Sequence, residues 1–318
     1  MTRSSLYCGP GKVYMSTIGL WPEGVNGQIE LTLEQGVDEV ATGMHGRVDA
    51  TQGDCVVRLR MTPFDRWEAL SLLYPARVKT PAIGTRIFGA TDTSCKVYTP
   101  DGRLYTILAA AVTRHPELHL GVGKALYGPI EITGVIANDK AYGDTSAYMS
   151  ITESGGADPG GSFALSDFIR GRWTGVWGTV EGFGGGVDDE PMEAEDEWTL
   201  VPDIRYSALK VQGLTREMQL ASVSYLVRVR PVGPMHSEIV DAMKIQGSGT
   251  LGELKSGIGA DLVLTGPSGK TITLNGCALV GAGFEFGAGE RLGTGEIGFV
   301  ASADFTGGAI NPLLTFSA

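Results

Sequence analysis

The sequence is poor in cysteine and has no long apolar run, and each shortage excludes a class of protein. Its four cysteines are widely separated and include no Cys-x-x-Cys pair, so they indicate neither a zinc site nor a disulfide framework. We expect free, buried thiols. The longest apolar block, Ile107–Val112, is far shorter than the roughly 20 residues of a membrane helix. No apolar run follows Met1–Leu6, so we expect no secretory signal and synthesis in the cytoplasm.

Basic residues are also scarce. The chain has 25 Lys and Arg against 36 Asp and Glu, which gives a formal net charge of −11 over 318 residues. Because strong binding of phosphates needs clustered Lys and Arg, this balance disfavours a protein that grips nucleic acid. It remains compatible with DNA as a neighbour that must not be bound.

Motifs of catalysis and cofactor binding are incomplete. Gly266–Thr271 ends like a phosphate-binding loop, but it lacks the first glycine of that motif and leads into strand-like alternation. Gly293–Gly298 matches a dinucleotide fingerprint by letter, yet no helix follows it. His115 and His119 stand in strand-like sequence, which argues against a metal-ligand pair on one helical face. We therefore expect no enzyme, no cofactor and no metal site.

The sequence is rich in glycine and in short alternating runs. It contains 47 Gly, and 42% of its residues are hydrophobic. Runs rich in Val, Thr and Ile between turn residues are typical of β structure. In the run Cys55–Met61, alternation predicts that Arg58 and Arg60 share one face of a strand and that Val57 and Leu59 share the other.

One pattern occurs twice, about 170 positions apart. Val57–Arg60 and Val227–Arg230 each lead into a proline-started segment with helical periodicity. A strand, a Pro-x-Gly turn and a second strand follow in both places, at Val97–Ile107 and at Leu264–Leu274. Because these features keep the same order, they indicate an internal duplication. A period this long predicts two domains, since arrays of small repeats have periods of roughly 20–50 residues.

Each copy contains one convincing helix, at Pro63–Tyr74 and at Pro234–Met243. One helix beside many short strands predicts a mainly β fold of two tandem, similar domains. Each domain would be a β-sandwich or partly closed barrel with one flanking α-helix. The predicted divisions are residues 1–140 for the first domain, 141–165 for a glycine-rich linker, 166–306 for the second domain and 307–318 for a C-terminal tail.

Two further segments are predicted to leave the compact domains. Glu34–Asp54 is polar and contains several glycines, which favours a protruding loop or a long hairpin. Leu313–Phe316 is apolar and follows a glycine-rich stretch. We expect this second segment to be able to pair with the edge strand of another subunit.

This combination resembles the tail tube proteins of long-tailed bacteriophages. The likeness is architectural: a strand such as Val57–Arg60 runs into a helix, two strands joined by a Pro-x-Gly turn follow, and a strand such as Pro129–Ala137 closes the domain. Members of that family form rings that stack into a hollow tube through which the genome passes. Those with two fused copies close each ring with three chains.

The resemblance implies a structural virion protein in homotrimeric, pseudo-hexameric rings. Its location would be the virion tail, after synthesis and assembly in the cytoplasm of the bacterial host. Its partners would be further copies of itself and other tail proteins, such as the tape measure, terminator and tail-tip proteins. DNA would pass through without specific binding, and no membrane would be involved.

Acidic residues fit this hypothesis, because carboxylates that line a channel repel the phosphates of DNA. We expect Asp38 and Glu39, with part of the acidic block formed by Asp188, Asp189 and Glu190, to line or flank the bore. The block lacks the alternating acidic order of a calcium loop. An ordinary solvated surface is the alternative for each of these residues.

Two other functions fit the same sequence. A tail terminator or tail-tip ring protein would share the fold, but its rings would not stack. A tandem β-sandwich protein for carbohydrate binding or adhesion would not self-assemble. That protein would instead expose aromatic residues near loop tips, for which Trp21, Trp173 and Trp177 are candidates.

Overall fold

The fold is mainly β, as the sequence predicts. The computed structural model describes residues 11–15, 19–21, 29–44, 46–63, 67, 70, 73–74, 94–136, 148–153, 170–179, 183–211, 213–232, 260–285, 293–301 and 313–317. For some strand residues, among them 19–21, 37–41, 46–52 and 282–285, the description covers the backbone only. No helix in the described part of the chain is long and apolar enough to cross a membrane.

The N-terminal half of the chain supplies two antiparallel sheets. Its strands are β1 (Lys12–Met15), β2 (Gly19–Trp21), β3 (Ile29–Thr42), β4 (Gly46–Met61), β5 (Cys95–Tyr98), β6 (Leu104–Ile107), β7 (Ala109–Arg114), β8 (Leu118–Gly121), β9 (Ile130–Val135) and β10 (Met149–Thr152). One sheet has the order β10-β6-β5-β1-β2, and the other has the order β3-β4-β9-β7.

The C-terminal half forms one larger sheet. Its strands are β11 (Thr174–Trp177), β12 (Met192–Val211), β13 (Leu214–Val232), β14 (Ala260–Thr265), β15 (Thr271–Glu285), β16 (Gly293–Val300) and β17 (Leu314–Ser317). The sheet runs β11-β14-β15-β16-β13-β12-β8, and β17 adds to β15. Because β11 also pairs with β12, the strands from β11 to β12 close into a ring.

The order of strand pairing is the same in the two halves. The series β1, β5, β6, β10 in the first half has its counterpart in β11, β14, β15, β17. The series β3, β4, β9, β7 corresponds to β12, β13, β16 and the C-terminal part of β15. Turns repeat as well: the amide of Thr99 donates to the carbonyl of Arg103 at 2.9 Å, and Gly266 donates to Lys270 at 2.8 Å.

The register of these strands identifies equivalent residues. Leu59 lies between Leu31 and Ile132 in neighbouring strands of the first half. In the second half, Val229 lies between Trp198 and Ile297. Counting outward from these rows, Glu30–Leu33 of β3 corresponds to Glu197–Leu200 of β12. Likewise, Glu131 of β9 corresponds to Glu296 of β16.

A single apolar core continues through both halves. The alternation predicted for β4 is confirmed: Val57 and Leu59 are buried, while Arg58 and Arg60 lie on the opposite face. The second half builds its part of the core around the indole of Trp198, which donates its N–H to the carbonyl of Trp173. Gly175 is needed beside that indole, because a Cβ there would lie 2.5 Å from its ring.

The predicted helices are covered only in part. Within Pro63–Tyr74, the residues Trp67, Leu70 and Leu73 have helical backbone and are buried. The predicted helix Pro234–Met243 lies outside the described residues. One flanking helix in each domain therefore stays a prediction.

Other segments are resolved by the strand pairing. The predicted protrusion Glu34–Asp54 forms most of the long β3–β4 hairpin. Met149–Thr152, inside the predicted linker, forms β10 and pairs with β6. The expectation that Leu313–Phe316 pairs with another subunit was wrong for the described chain, because this segment leads into β17 and pairs with β15 of the same molecule. Leu313 and Leu314 are buried there, which explains the preference.

The two stretches that partly match nucleotide-binding motifs form a turn and a strand. Pro267–Gly269 makes a short 3-10 turn between β14 and β15, so the phosphate-loop-like sequence is the hairpin turn that the alternation predicted. Gly293–Val300 forms strand β16, between β13 and β15. Neither stretch precedes a helix within the described residues.

Candidate functional site

The described residues of the two halves meet at a junction, and we treat this junction as the candidate functional surface. Strand β8 from the first half leaves its own sheets and extends the edge of β12. Its register places Leu118 opposite Leu200 and Gly121 opposite Glu197. The approach at Gly121 is close, because a Cβ there would lie 2.9 Å from the carbonyl oxygen of Asp196.

Polar contacts fix β8 on this edge. His119 Nδ1 lies 3.1 Å from Glu197 Oε1. Lys124 Nζ donates to Asp196 Oδ2 at 3.1 Å. Backbone pairing thus supplies the register, and these side chains add specificity for one particular strand.

Aromatic side chains join the halves on the core side. The indole rings of Trp67 and Trp173 stack at 6.2 Å. Tyr74 meets Tyr225 at 6.0 Å and Phe316 at 5.8 Å. Aromatic pairs at these separations contribute about 0.5–1.5 kcal/mol each beyond the burial of their surface. Trp67 and Tyr74 belong to the predicted helix Pro63–Tyr74. This segment therefore packs against the second half of the chain.

The tip of the β12–β13 hairpin reaches back to the first half. Asp54, at a bulge of β4, accepts hydrogen bonds from the amide of Thr215 at 2.9 Å and from its hydroxyl at 2.6 Å. Lys210 Nζ lies 3.3 Å from the same carboxylate. Burial raises the pKa of Asp54, but the bonds from Thr215 and the charge of Lys210 outweigh it and hold the pKa below its ordinary value. The carboxylate is therefore charged where the hairpin docks.

A histidine makes a second polar link to this hairpin. His115 Nδ1 contacts the carbonyl oxygen of Leu73, and its Nε2 lies 2.6 Å from the hydroxyl of Tyr206. A carbonyl can only accept, so Nδ1 carries the proton and Nε2 accepts from the tyrosine. Burial lowers the pKa of His115 to about 4, although the Leu73 carbonyl favours the charged form. Both ring nitrogens are thus committed to structure.

The outer faces of the β3–β4–β9 and β12–β13–β16 strands carry ion pairs. Glu131 accepts from Arg58 at 2.6 Å and from Arg60 at 2.9 Å. In the second half, the corresponding distance from Arg228 to Glu296 is 3.8 Å. Both polar faces mix the two signs of charge, so the described residues do not form a uniformly acidic wall.

The acids predicted to line a bore lie in two separate places. Asp38 and Glu39 are in β3, opposite Thr51 and Ala50 in the distal part of the β3–β4 hairpin. Their side chains are outside the description.

The other three acids precede β12. Asp188 and Glu190 are exposed, as a solvated acidic turn would be. Asp189 Oδ2 accepts from the amide of Gly186 at 2.9 Å, which gives that residue a local role in shaping the turn. The two groups of acids are not joined by any described contact.

A polar cleft of about 320 Å³ also lies at the junction, lined by residues such as Thr113, Arg114, His119 and Asp203. His115 also lines this cleft but cannot act as a general base, because both its nitrogens are already bonded. We find no nucleophile paired with a base among the described lining residues.

The described residues were also searched for a metal site and for reactive thiols. No group of three or more His, Cys, Asp or Glu residues converges there in a geometry suited to a metal ion. Cys55, Cys95 and Cys277 are free and buried, as the spacing predicted. Burial raises the pKa of Cys95 and of Cys277 to about 12, so these thiols stay protonated.

Comparison of the sequence with known protein families finds no match, and comparison with curated proteins finds no relative. The duplication found in the sequence included neither β8 nor β12, the two strands that form the junction. The contacts that join the halves were missed, because Asp54–Thr215 and His115–Tyr206 are far apart in the chain and follow no motif.

Proposed function

We propose that this protein is a structural virion protein whose copies assemble into three-membered, pseudo-hexameric rings. Stacked rings would form the tail tube of a long-tailed phage. In this proposal each chain contributes two similar tail-tube-like domains, which correspond to the two halves that share an order of strand pairing. The stacked tube is inferred from the resemblance of the sequence to tail tube proteins. The shared order of strand pairing supports the inference that the chain contains a duplication.

The way in which the halves join carries the proposal. The sheet of the second half is extended by β8 of the first half. If the edge strand of each half is covered by the preceding half, the contact can be repeated from half to half, because each added half brings a further open edge strand. Such head-to-tail contacts form a ring when their rotation divides the circle. Because each chain has two similar halves, three chains give six similar positions in the ring.

The charge of the chain suits a conduit for DNA. A formal net charge of −11 disfavours adhesion of phosphates, and Asp188 and Glu190 are exposed to solvent. We place these two residues, with Asp38, Glu39 and Asp189, along or beside the bore. Tape measure, terminator and tail-tip proteins would contact the assembled tube in the virion, while DNA would pass without specific binding.

Electron microscopy and mass measurement of the purified full-length protein test this function. Tubes, or three-membered rings that stack, are the expected result. Three-membered rings that never stack would favour a tail terminator or tail-tip component instead. A particle of one chain across a wide range of concentration and salt would overturn the proposal.

An adhesion protein is the competing result of the same experiment. It would remain monomeric and bind glycan. Of the aromatic residues that could serve it, Trp173 and Trp177 are buried in the core. These two side chains therefore support no exposed sugar platform.

The role of the acids needs a separate test on assembled tubes. We expect wild-type tubes not to retain DNA. The double variant Asp188→Lys with Glu190→Lys should assemble normally and retain DNA at low salt, with retention lost as salt increases. The control is Glu117→Lys with Glu153→Lys, which makes the same change of charge at other exposed positions. Equal retention by the control would remove the bore from the explanation.

A further inference from the structure

The equivalent edges of β3 and β12 are treated differently within one chain. Along β12, the residues Glu197–Leu200 are paired with β8. The equivalent residues Glu30–Leu33 lie in β3, which is the end strand of its sheet and has no described strand on its outer side. An exposed edge strand is a liability that proteins normally cover or block.

Burial at this edge reflects the difference. Leu200 is 0% exposed, and Leu118 of β8 lies opposite it. Its counterpart Leu33 faces the same side of its sheet but is 50% exposed. The two positions carry the same side chain, so the missing neighbour accounts for the difference.

The tips of the two long hairpins show the same contrast. Leu214 begins β13 at the tip of the β12–β13 hairpin, and Met44 lies in the turn between β3 and β4. Leu214 is 7% exposed, because it packs against Ile136 of the first half. Met44 is 88% exposed. An apolar residue at a hairpin tip is therefore covered in one half and open in the other.

We propose that the outer edge of β3 at Glu30–Leu33, together with Met44 at the tip of its hairpin, binds the second half of another copy of this chain. The contact repeats between molecules the relation that the two halves have within one molecule. This inference rests on the proposed function, and it names the surface through which the ring grows.

Several physical features favour a copy of the chain over another partner. In chain order, the stretch between β7 and β9 supplies the cover on β12, and the stretch between β15 and β16 holds the same place in the second half. The contact is heterologous, since the first half of one molecule meets the second half of the next. Strand addition satisfies the open backbone groups of β3 and also buries Leu33. On β12, Glu197 lies 3.1 Å from a histidine of the added strand, and Glu30 occupies the equivalent place on β3.

Two variants test the surface independently. Leu33→Lys places a charge on the edge, a device that blocks strand addition. Met44→Asp alters a side chain that is 88% exposed, so it leaves the fold of the single chain intact. The control is Val187→Asp, at an exposed apolar residue in the turn before β12. Circular dichroism verifies that each variant is folded.

Analytical ultracentrifugation would give the protein concentration at which half of the chains are assembled. Hydrogen exchange would give the protection of the β3 amides. Each of the two edge variants should raise that concentration by about tenfold or more, which corresponds to about 1.4 kcal/mol. The control should assemble like the wild type. In wild-type rings, amides in residues 30–33 should exchange more slowly than in the unassembled variants.

The outcomes separate this inference from the proposed function. Assembly of both edge variants at the wild-type concentration, with β3 unprotected, would overturn the inference while leaving the ring function in place. A wild-type protein that never assembles overturns both. Loss of assembly in Val187→Asp as well would show a general effect of added charge, and it would also count against the surface.

Discussion

The two halves of this protein pair their strands in the same order but complete their sheets differently. In the second half, β15 runs unbroken from Thr271 to Glu285 and connects both series of strands. In the first half, the corresponding stretch is divided at Leu108 into β6 and β7, and two separate sheets result. One duplicated pattern can therefore give an extended sheet or two smaller ones, depending on whether a single strand continues.

The second difference concerns the edges, and it teaches more about function. The second half is completed by material from the first half: β8 extends β12, and the aromatic rings of Trp67 and Tyr74 contact Trp173, Tyr225 and Phe316. The first half has no described equivalent of that cover on β3. Within the described residues, one edge strand is thus covered by the other half of the chain, and its counterpart β3 is not.

The largest expected effect compares the equivalent leucines Leu200 and Leu33. Leu200→Ala should lower the free energy of unfolding by about 2–5 kcal/mol, because it removes a fully buried side chain and leaves a cavity. Leu33→Ala should cost about 1 kcal/mol or less in the unassembled chain, since half of that side chain is in solvent already. Urea unfolding of both variants measures the difference.

This comparison also has a clear contrary result. Equal losses of stability at the two leucines would mean that Leu33 is covered within the single chain. The equivalence of the two edges would then carry no information about assembly. Ile132→Val serves as an internal control, because it shortens a buried residue in the same sheet as Leu33 by one methylene and should cost about 0.5–1.5 kcal/mol.

Local pattern was enough to predict much of the fold. The alternation in Cys55–Met61 gave the correct faces of β4, and the Pro-x-Gly turns located both the β5–β6 and the β14–β15 hairpins. These features depend on residues close together in sequence, where side-chain period and turn chemistry act directly. The division of the chain into two domains rests on the same short patterns, repeated in order, and stays a prediction.

Long-range pairing could not be predicted in the same way. Nothing in Leu118–Gly121 indicates that this short strand joins the sheet of the other half, because its apolar alternation would suit any free edge. The terminal segment Leu314–Ser317 was expected to seek another molecule for that reason, and it pairs with β15 instead. Edge strands carry a general capacity to pair, and tertiary packing chooses the partner.

A fall in pH should weaken the link between His115 and the β12–β13 hairpin. Burial lowers the pKa of His115 from 6.5 to about 4, so the folded state holds the neutral ring while the unfolded state binds a proton first. The stability that this neutral ring provides is complete above pH 6.5 and decreases as pH falls toward about 4. The limiting slope is about 1.4 kcal/mol for each pH unit.

Unfolding free energies of the wild type and His115→Gln between pH 7.5 and pH 5 check this effect. The variant should be less stable at neutral pH and should show a smaller loss on acidification. Tyr206→Phe is the matched variant, because it removes the hydroxyl that donates to Nε2 but keeps the titrating ring. Parallel pH curves for the wild type and His115→Gln would contradict the assignment of a neutral, buried histidine.

The smallest expected difference compares the equivalent carboxylates Glu131 and Glu296. The side chain of Glu131 is 10% exposed and bonds to both Arg58 and Arg60, whereas that of Glu296 is 65% exposed and lies 3.8 Å from Arg228. Burial raises the pKa of Glu131, but Arg60 and Arg58 outweigh it and hold the pKa below its ordinary value, so the group is charged in the fold.

Glu131→Gln should therefore cost about 1–2 kcal/mol, because two charge-assisted hydrogen bonds are weakened where water cannot fully replace them. Glu296→Gln should change stability by less than about 0.5 kcal/mol, as exposed ion pairs usually do. Urea unfolding at pH 7 and at high salt separates the cases, since salt screens the exposed pair far more than the buried one. If both variants lost the same stability and responded equally to salt, the ion pairs of the first half would owe nothing to their burial.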